Sequence, residues 1–223
     1  MKTSNAPNLK KEKYFSAPNI CAALFLALFI LSFSVVFTLF FRPLYAYDIG
    51  ALDIPARSGL PEAEVRANYD ALIDYNSVFA RGDLEFPTLP MSESGRIHFG
   101  EVKRIFSAFQ ILLLLSAAGA ALLCARQLRR GRAKFLKLGG IAAACIPLLL
   151  GAVTAAAGWE RAFVLFHKLF FNNNFWLFDS AADPVILILP DAFFLHCLIM
   201  ILSLLAGLSA ASILAGAALT RKK

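Results

Sequence analysis

Residues 20–41 read ICAALFLALFILSFSVVFTLFF, an apolar run without a single charged side chain. Because an α-helix rises about 1.5 Å per residue, about 20 apolar residues suffice to cross the hydrocarbon core of a bilayer. The run is too long for the apolar region of a typical signal peptide, and no small-x-small cleavage pattern follows at Phe41-Arg42-Pro43. We therefore interpret it as an uncleaved membrane-spanning helix.

Three further apolar runs have a similar length, at residues 105–125, 138–159 and 192–219. Of the 223 residues, 59% are hydrophobic and only 17% are charged, whereas about a quarter are charged in typical soluble domains. The sequence thus predicts an α-helical integral membrane protein with four transmembrane helices. The segments between them predict a small extracytoplasmic cap and an interfacial aromatic segment.

The charged residues divide unevenly between the two sides of this predicted bundle. Segments 1–19, 126–137 and 220–223 together carry 13 basic residues and one acidic residue, whereas segments 42–104 and 160–191 carry 9 basic and 14 acidic residues. Because Lys and Arg accumulate in short cytoplasmic segments, both termini are predicted to be cytoplasmic. Anionic lipid headgroups account for the net charge of +7, so no nucleic-acid partner is implied.

These assignments give a complete predicted order of segments. It is a cytoplasmic segment at 1–19, TM1 at 20–41, an extracytoplasmic cap at 42–104, TM2 at 105–125, a basic cytoplasmic loop at 126–137, TM3 at 138–159, an extracytoplasmic or interfacial segment at 160–191, TM4 at 192–219 and a cytoplasmic tail at 220–223.

The cap contains one predicted helix. Pro61 stands where a helix can begin, and apolar residues then recur at helical spacing with charged residues between them, at Val65, Tyr69, Leu72, Ile73 and Val78. This pattern is typical of an amphipathic helix that lies on the bundle or on the lipid headgroups. The glycines and prolines of residues 81–95 indicate an extended, turning connection after it.

The aromatic segment, residues 160–191, surrounds Asn172-Asn173-Asn174 with phenylalanines. It is too interrupted to span a membrane and too apolar for a solvated loop, so we predict that it lies in the interface and is partly re-entrant. The alternative is an aromatic belt around a turn. A belt, however, does not require His167 and the asparagines in its middle.

Three histidines are the main candidates for chemistry. His98 precedes TM2, His167 lies in the aromatic segment, and His196 is one turn into TM4. Ionisable groups near hydrocarbon are costly and often functional, although His196 fits a capped or headgroup-facing role better. The four cysteines all fall inside predicted helices and indicate neither a disulfide nor a redox pair. A zinc site made of His98, His167 and carboxylates such as Glu101 or Asp179 is an open alternative, for which the sequence signal is weak.

Two stretches resemble the motifs of a known family. Residues 166–179 read FHKLFFNNNFWLFD, followed by DPVI at 183–186 and LPDAFF at 189–194, and residues 91–104 read MSESGRIHFGEVKR. Both are similar, in order and topology, to the motifs of the bacterial lipoprotein intramolecular transacylases, the Lit family. The resemblance extends over nearly the whole chain.

The resemblance implies an acyltransferase of the bacterial cell membrane, without cofactor or metal. Its substrates would be diacylated lipoproteins embedded among membrane phospholipids, and the sn-2 acyl chain of an S-diacylglyceryl-cysteine would move to the α-amino group of that cysteine. His98 and His167 would be the catalytic pair, because an imidazole with a pKa near 6.5 is well matched to deprotonate an α-ammonium of pKa about 8. Candidates for substrate or oxyanion contacts are Lys103, Arg104, Arg161, Asn172, Asn173, Asn174 and Trp176, with Glu101, Asp179 and Asp191 as supporting residues.

Two other classes of function remain open at this point. A non-enzymatic factor for lipid or lipoprotein assembly can use the same aromatic segment as a docking surface. A small transporter is the third reading, although TM1 to TM3 contain no charged residue that would mark a pathway.

Overall fold

A computed structural model describes residues 16–221, so the predicted cytoplasmic residues 1–15 and 222–223 lie outside the described part. Within it, the chain forms nine helices and no β-strand. In chain order they are α1 (Ala17–Phe40), α2 (Arg42–Ala51), α3 (Ile54–Ser58), α4 (Glu62–Tyr75), α5 (Glu93–Arg129), α6 (Lys134–Ala157), α7 (Trp159–Phe170), α8 (Val185–Ile188) and α9 (Asp191–Arg221).

Helices α1, α5, α6 and α9 are long and apolar enough to cross a membrane, which confirms the four predicted spans. Helix α5 differs from its prediction, because its 37 residues begin at Glu93 rather than at residue 105. Such a helix is about 55 Å long, well beyond the roughly 30 Å of a hydrocarbon core. Residues 93–104, predicted as the end of the cap, are therefore a helical extension of TM2.

Small apolar clusters hold the four long helices together at two levels. At one end, Ala22 and Ala23 of α1 pack on Phe135 of α6. Nearer the middle, Ile30 of α1, Ala143 of α6 and Leu205 of α9 form a second cluster, which includes residues from three helices.

Glycines allow these helices to approach closely. A Cβ on Gly140 of α6 would lie 2.7 Å from the carbonyl oxygen of Ser209 on α9, and one on Gly216 would lie 2.8 Å from the backbone nitrogen of Lys137. Both contacts are closer than a side chain permits. Helices α6 and α9 therefore pack closely through small residues at these two positions.

The cap packs on the other end of the bundle. Tyr45 of α2 stacks on Tyr69 of α4 at 3.6 Å between ring centroids, and Phe193 of α9 meets Tyr45 edge-on at 5.1 Å. The buried Tyr45 hydroxyl donates to the carbonyl oxygen of Ile188 at 2.7 Å. Helix α4 confirms the amphipathic helix predicted after Pro61.

Helices α2 and α3 were not predicted. Both begin with a proline in their first two positions, Pro43 and Pro55, where proline is favoured because the first helical N–H groups need no partner within the helix. Both are short, and their sequences lack a long apolar period. Arg42 at the start of α2 pairs with Asp70 and Asp74 of α4, which closes the cap.

The connection from Asn76 to Ser92 contains no helix and is held by side chains of α5; of the predicted connection at residues 81–95, residues 93–95 belong instead to the start of α5. The Gln110 amide donates to the carbonyl oxygen of Asn76 at 2.8 Å and accepts from the backbone N–H of Val78 at 3.0 Å. The Lys103 ammonium donates to the carbonyl oxygen of Ala80 at 2.9 Å. These bonds attach the connection to the helix that also carries His98.

Candidate active site

His98 projects from the second turn of α5 into an aromatic pocket. Only 5% of the residue is exposed, and its Nδ1 is buried without a hydrogen-bond partner in the described part of the chain. The rings of Phe171 and Phe178 meet it edge-on, with centroids 4.7 and 5.5 Å away. The aromatic segment therefore covers this imidazole.

His167 comes from the last turn of α7 and meets His98 in the same pocket. The two imidazole centroids are 6.1 Å apart with their planes 33° from parallel. His167 stacks on Trp176 at 4.7 Å, and its Nδ1 donates to the carbonyl oxygen of Phe163 at 2.8 Å. Because a carbonyl only accepts, Nδ1 carries the hydrogen, and the Nε2 of a neutral ring then has a lone pair.

Burial favours the neutral form of His167. Desolvation lowers its pKa from the ordinary value of 6.5, and this outweighs two opposing effects. The Phe163 carbonyl and the Asp191 carboxylate both favour the charged ring and so raise the pKa in part. His167 is thus a neutral proton acceptor at pH 7, with an anion and a carbonyl nearby to stabilise the cation once it forms.

A stacking contact followed by hydrogen bonds connects His167 to α5. Trp176, which stacks on His167, donates through its indole N–H to the carbonyl oxygen of Asn173 at 3.1 Å. The Asn173 side-chain amide donates to both carboxylate oxygens of Glu101, at 3.0 and 3.2 Å. Glu101 lies three residues beyond His98 on α5. The same helix therefore carries His98 and supports His167 through Asn173 and Trp176.

The other predicted site residues have different surroundings. The Lys103 ammonium lies 4.1 Å from the centroid of the Tyr75 ring, besides its bond to Ala80, so it is oriented toward the cap. Arg104 is exposed and lies 3.8 Å from Glu101. The remaining candidates are all exposed, namely Arg161, Asn172, Asn174, Asp179 and Asp191.

Two of these exposed residues, Asp179 and Asp191, influence the surroundings of the site. Asp179 accepts from the backbone N–H of Ala181 at 3.0 Å and so shapes the turn after the aromatic segment's middle. Asp191 begins α9 and acts electrostatically on His167.

The contact between Asp183 and Ser92 was not predicted from the sequence. The carboxylate of the buried Asp183 accepts from the backbone N–H of Ser92 at 2.7 Å and from the Ser92 hydroxyl at 2.6 Å. These residues are 91 positions apart. The available signals were the Ser-x-x-Gly start of a helix at Ser92 and the Asp183-Pro184 turn within the quoted motif, and neither of them indicates the partner.

His196 of α9 lies apart from the histidine pair and contacts the cap. Its Nδ1 donates to the carboxylate of the fully buried Asp48 on α2 at 2.7 Å. This agrees with the capped role that the sequence favoured for His196.

No three His, Cys, Asp or Glu side chains among residues 16–221 are grouped so that they hold a metal ion. The alternative zinc site made of His98, His167 and Glu101 or Asp179 is therefore not assembled.

The fold and the site define a multi-pass membrane protein with two neighbouring imidazoles in an aromatic pocket at one end of its bundle. Comparison with known proteins adds the chemistry. The sequence model of the lipoprotein intramolecular transacylase Lit matches residues 20–194. No curated protein sequence matches the chain.

Solved structures give the same result. The membrane-integral lipoprotein intramolecular transacylase Lit from Bacillus cereus superposes with a TM-score of 0.88 and 35% identity, over 92% of this chain and 95% of that one. Two variants of that protein, with one histidine replaced by arginine or by alanine, give TM-scores of 0.82 and 34% identity, over 92% of this chain and 91% and 93% of theirs.

The chain belongs to the Lit family of lipoprotein intramolecular transacylases. Its activity is accordingly that of an acyltransferase acting on lipoproteins, which decides against the non-enzymatic alternative.

Proposed function

We propose that this transacylase acts on diacylated lipoproteins at the non-cytoplasmic surface of the membrane. The sn-2 acyl chain of the S-diacylglyceryl-cysteine moves to the α-amino group of the same cysteine. The paired imidazoles His98 and His167, 6.1 Å apart between ring centroids, are the observation on which this proposal rests. The product keeps one ester-linked chain and gains an N-acyl chain, which makes it a lyso-form lipoprotein.

His167 is the general base. Its Nδ1–H is held by the Phe163 carbonyl, so the ring presents its Nε2 lone pair to an incoming α-ammonium. Removing that proton produces the neutral amine, which attacks the ester carbonyl carbon and forms the C–N bond. The stacked Trp176 keeps the ring in this orientation.

His98 is the donor to the oxyanion. It is buried and lacks a partner for Nδ1 within residues 16–221, so a polar atom of the substrate can satisfy the ring. A neutral imidazole donates one hydrogen bond, and such a donor is most effective where water is excluded. The pocket of Phe171 and Phe178 provides that exclusion.

The protons balance over the cycle. The protonated His167 returns its proton to the glycerol oxygen as the C–O bond of the ester breaks. The surplus proton on the new amide nitrogen then passes to the neutral His167 and from there to water. One ammonium and one ester thus give one amide, one alcohol and one released proton.

An acyl-enzyme is not required by this scheme. Amine and ester belong to one molecule, and holding two such groups in a reactive geometry raises the effective molarity to about 10⁵–10⁸ M in well-oriented systems. The contribution of the protein is therefore to place the two groups and to move the protons.

The orientation in the membrane is part of the proposal. The basic residues of segment 126–137 and of both termini favour the cytoplasm for that end of the bundle. The cap and the histidine pocket lie at the ends of the long helices away from loop 126–137. Phospholipid surrounds the four apolar helices and presents the anchored substrate laterally.

A direct experiment is to co-express the chain with a diacylated lipoprotein in a bacterial host that forms no lyso-form of its own, and to analyse the lipoprotein's N-terminal peptide by mass spectrometry. The wild-type chain is expected to convert it, whereas His98→Ala and His167→Ala abolish conversion and still insert. His196→Asn keeps a donor toward Asp48 and serves as the matched control. Wild-type conversion by either alanine variant would remove that histidine from the mechanism.

A further inference from the structure

We infer that Asp183 is a positioning residue for the transacylation, which fixes the start of helix α5 and thereby the place of His98 opposite His167. The inference builds on the proposed function, because it assumes that the two imidazoles act together. It concerns a residue that touches neither ring.

Asp183 holds Ser92 from two directions. One carboxylate oxygen accepts from the Ser92 backbone N–H at 2.7 Å, and the other accepts from the Ser92 hydroxyl at 2.6 Å. Since a main-chain bond and a side-chain bond to one residue constrain both its position and its rotation, this pair acts as a clamp. Only 3% of Asp183 is exposed, so water does not compete for either bond.

Ser92 is the N-cap of α5. Its hydroxyl oxygen accepts from the backbone N–H of Gly95 at 3.0 Å while donating to Asp183. One hydroxyl can perform both tasks because it has one hydrogen and two lone pairs. The clamp therefore continues directly into the first turn of the helix.

Gly95 lacks a side chain and therefore leaves space for the Asp183 carboxylate. A Cβ at this position would collide with the Asp183 carboxylate oxygen and would lie 3.3 Å from Cγ of Met91. Residue 95 is helical, where glycine is otherwise disfavoured relative to alanine. A glycine here is thus explained by the close approach of Asp183 and not by the needs of the helix.

The same face of α5 leads to His98. Residues three apart are neighbours on a helix surface, so His98 lies one turn beyond Gly95 on the side that faces Asp183. The aromatic segment therefore contacts α5 at two levels. Asp183 holds the first turn, and Phe171 and Phe178 enclose the His98 ring in the second.

Burying a carboxylate without a cation partner costs free energy, so stability alone does not explain Asp183. No Lys, Arg or His within residues 16–221 forms an ion pair with Asp183, and its compensation comes from the Ser92 bonds at the N-terminus of a 37-residue helix. The clamp joins the aromatic segment, which carries His167, to the helix that carries His98. Its geometry sets the separation of the two imidazoles.

The test uses the full-length protein in proteoliposomes with a synthetic S-diacylglyceryl lipopeptide that has a free α-amine. Turnover at saturating substrate is measured separately from KM. Because small misplacements of reacting groups can lower rates by about 10²-fold, Asp183→Ala is expected to lower kcat roughly 10- to 100-fold. KM is expected to stay within about twofold of wild type, because the clamp does not touch the substrate.

Three variants separate positioning from general stability. Gly95→Ala keeps both clamp side chains and raises helix propensity, yet it displaces the carboxylate, so kcat is expected to fall. Asp183→Asn keeps an acceptor for the Ser92 N–H and is expected to retain more turnover than Asp183→Ala. Glu93→Gln removes an exposed carboxylate one residue from Ser92 and is expected to match wild type.

Non-additivity is the decisive readout. Ser92→Ala combined with Asp183→Ala is expected to be no slower than the slower single variant, since both break one clamp. Hydrogen exchange at the amides of residues 95–98 should accelerate in each clamp variant. Wild-type kcat in both Asp183→Ala and Gly95→Ala would overturn the inference while leaving the proposed function intact, whereas an inactive wild-type chain would count against the proposed function itself.

Discussion

His167 donates its Nδ1–H to the carbonyl oxygen of Phe163, four residues earlier on the same helix, at 2.8 Å. This bond fixes the tautomer of the ring and leaves Nε2 as the proton acceptor. The Nδ1 of the buried His98 has no such partner among the described residues. The two imidazoles are therefore not equivalent, and their difference can be measured.

Glutamine substitutions should affect the two histidines unequally. Glutamine can donate a hydrogen bond but cannot act as a base, so His167→Gln is expected to lose about 10²–10⁴ in kcat. His98→Gln keeps a donor for the oxyanion and should lose less than His98→Ala, for which the loss of one such donor is about 10²–10³. Turnover of the synthetic lipopeptide measures both. If His98→Gln lost more kcat than His167→Gln, then His98 would be the base and His167 the oxyanion donor.

The lowered pKa of His167 predicts how the reactivity of its ring depends on pH. Because burial disfavours the cation, the neutral ring should persist as the pH falls through 6.5 and become charged only at lower pH. Carbethoxylation requires a neutral imidazole and can be followed by mass spectrometry. In a His98→Gln, His196→Asn background His167 is the one histidine that remains, and the rate of its modification should have a midpoint below pH 6.5. A midpoint at or above that value would contradict the desolvated pocket.

Sequence patterns predicted the long elements of this protein better than its contacts. The four spans followed from the length of apolar runs and helix α4 from apolar periodicity, and both are local properties of the chain. The short helices α2 and α3 lack such a period, and the start of α5 at Glu93 was hidden because Ser92-Glu93-Ser94-Gly95 is also typical of a turn.

The site shows the same division. The two histidines could be named from their motifs and from their place near the membrane boundary. The clamp between Asp183 and Ser92 depends on residues 91 positions apart, and no periodicity links them. Likewise, Lys103 carries a charge suited to an oxyanion. Only the fold reveals that its ammonium bonds to the carbonyl oxygen of Ala80 and lies over the ring of Tyr75.

An exchange of donor and acceptor tests the contact between Asn173 and Glu101. Asn173→Asp alone puts a second carboxylate against Glu101, and the repulsion should move Trp176 away from His167 and lower kcat about tenfold or more. Adding Glu101→Gln restores one donor and one acceptor in reversed positions and should recover much of the loss. Turnover of the single and double variants is the measurement. A double variant as slow as Asn173→Asp would mean that Glu101 does not act through Asn173.

The pair of His196 and Asp48 predicts an effect on stability without an effect on chemistry. Asp48 is fully buried, one of its carboxylate oxygens has no partner among the described residues, and the other depends on His196 at 2.7 Å. His196→Ala would leave the whole carboxylate without that donor, and an unsatisfied buried polar group costs about 1–3 kcal/mol or more when charged.

The measurement for this pair is thermal unfolding in detergent together with kcat at a temperature where the variant is folded. His196→Ala should unfold at a lower temperature, and His196→Asn, which retains a donor near the Nδ1 position, should unfold closer to wild type. Asp48→Asn in the His196→Ala background should recover part of the loss, because a neutral amide is easier to bury than an unpaired carboxylate. Turnover of the folded variants should equal that of wild type, since the pair joins α9 to the cap and, among residues 16–221, forms no hydrogen bond or ring contact with His98 or His167. A fall in kcat without a change in unfolding temperature would instead place His196 among the residues that act on the substrate.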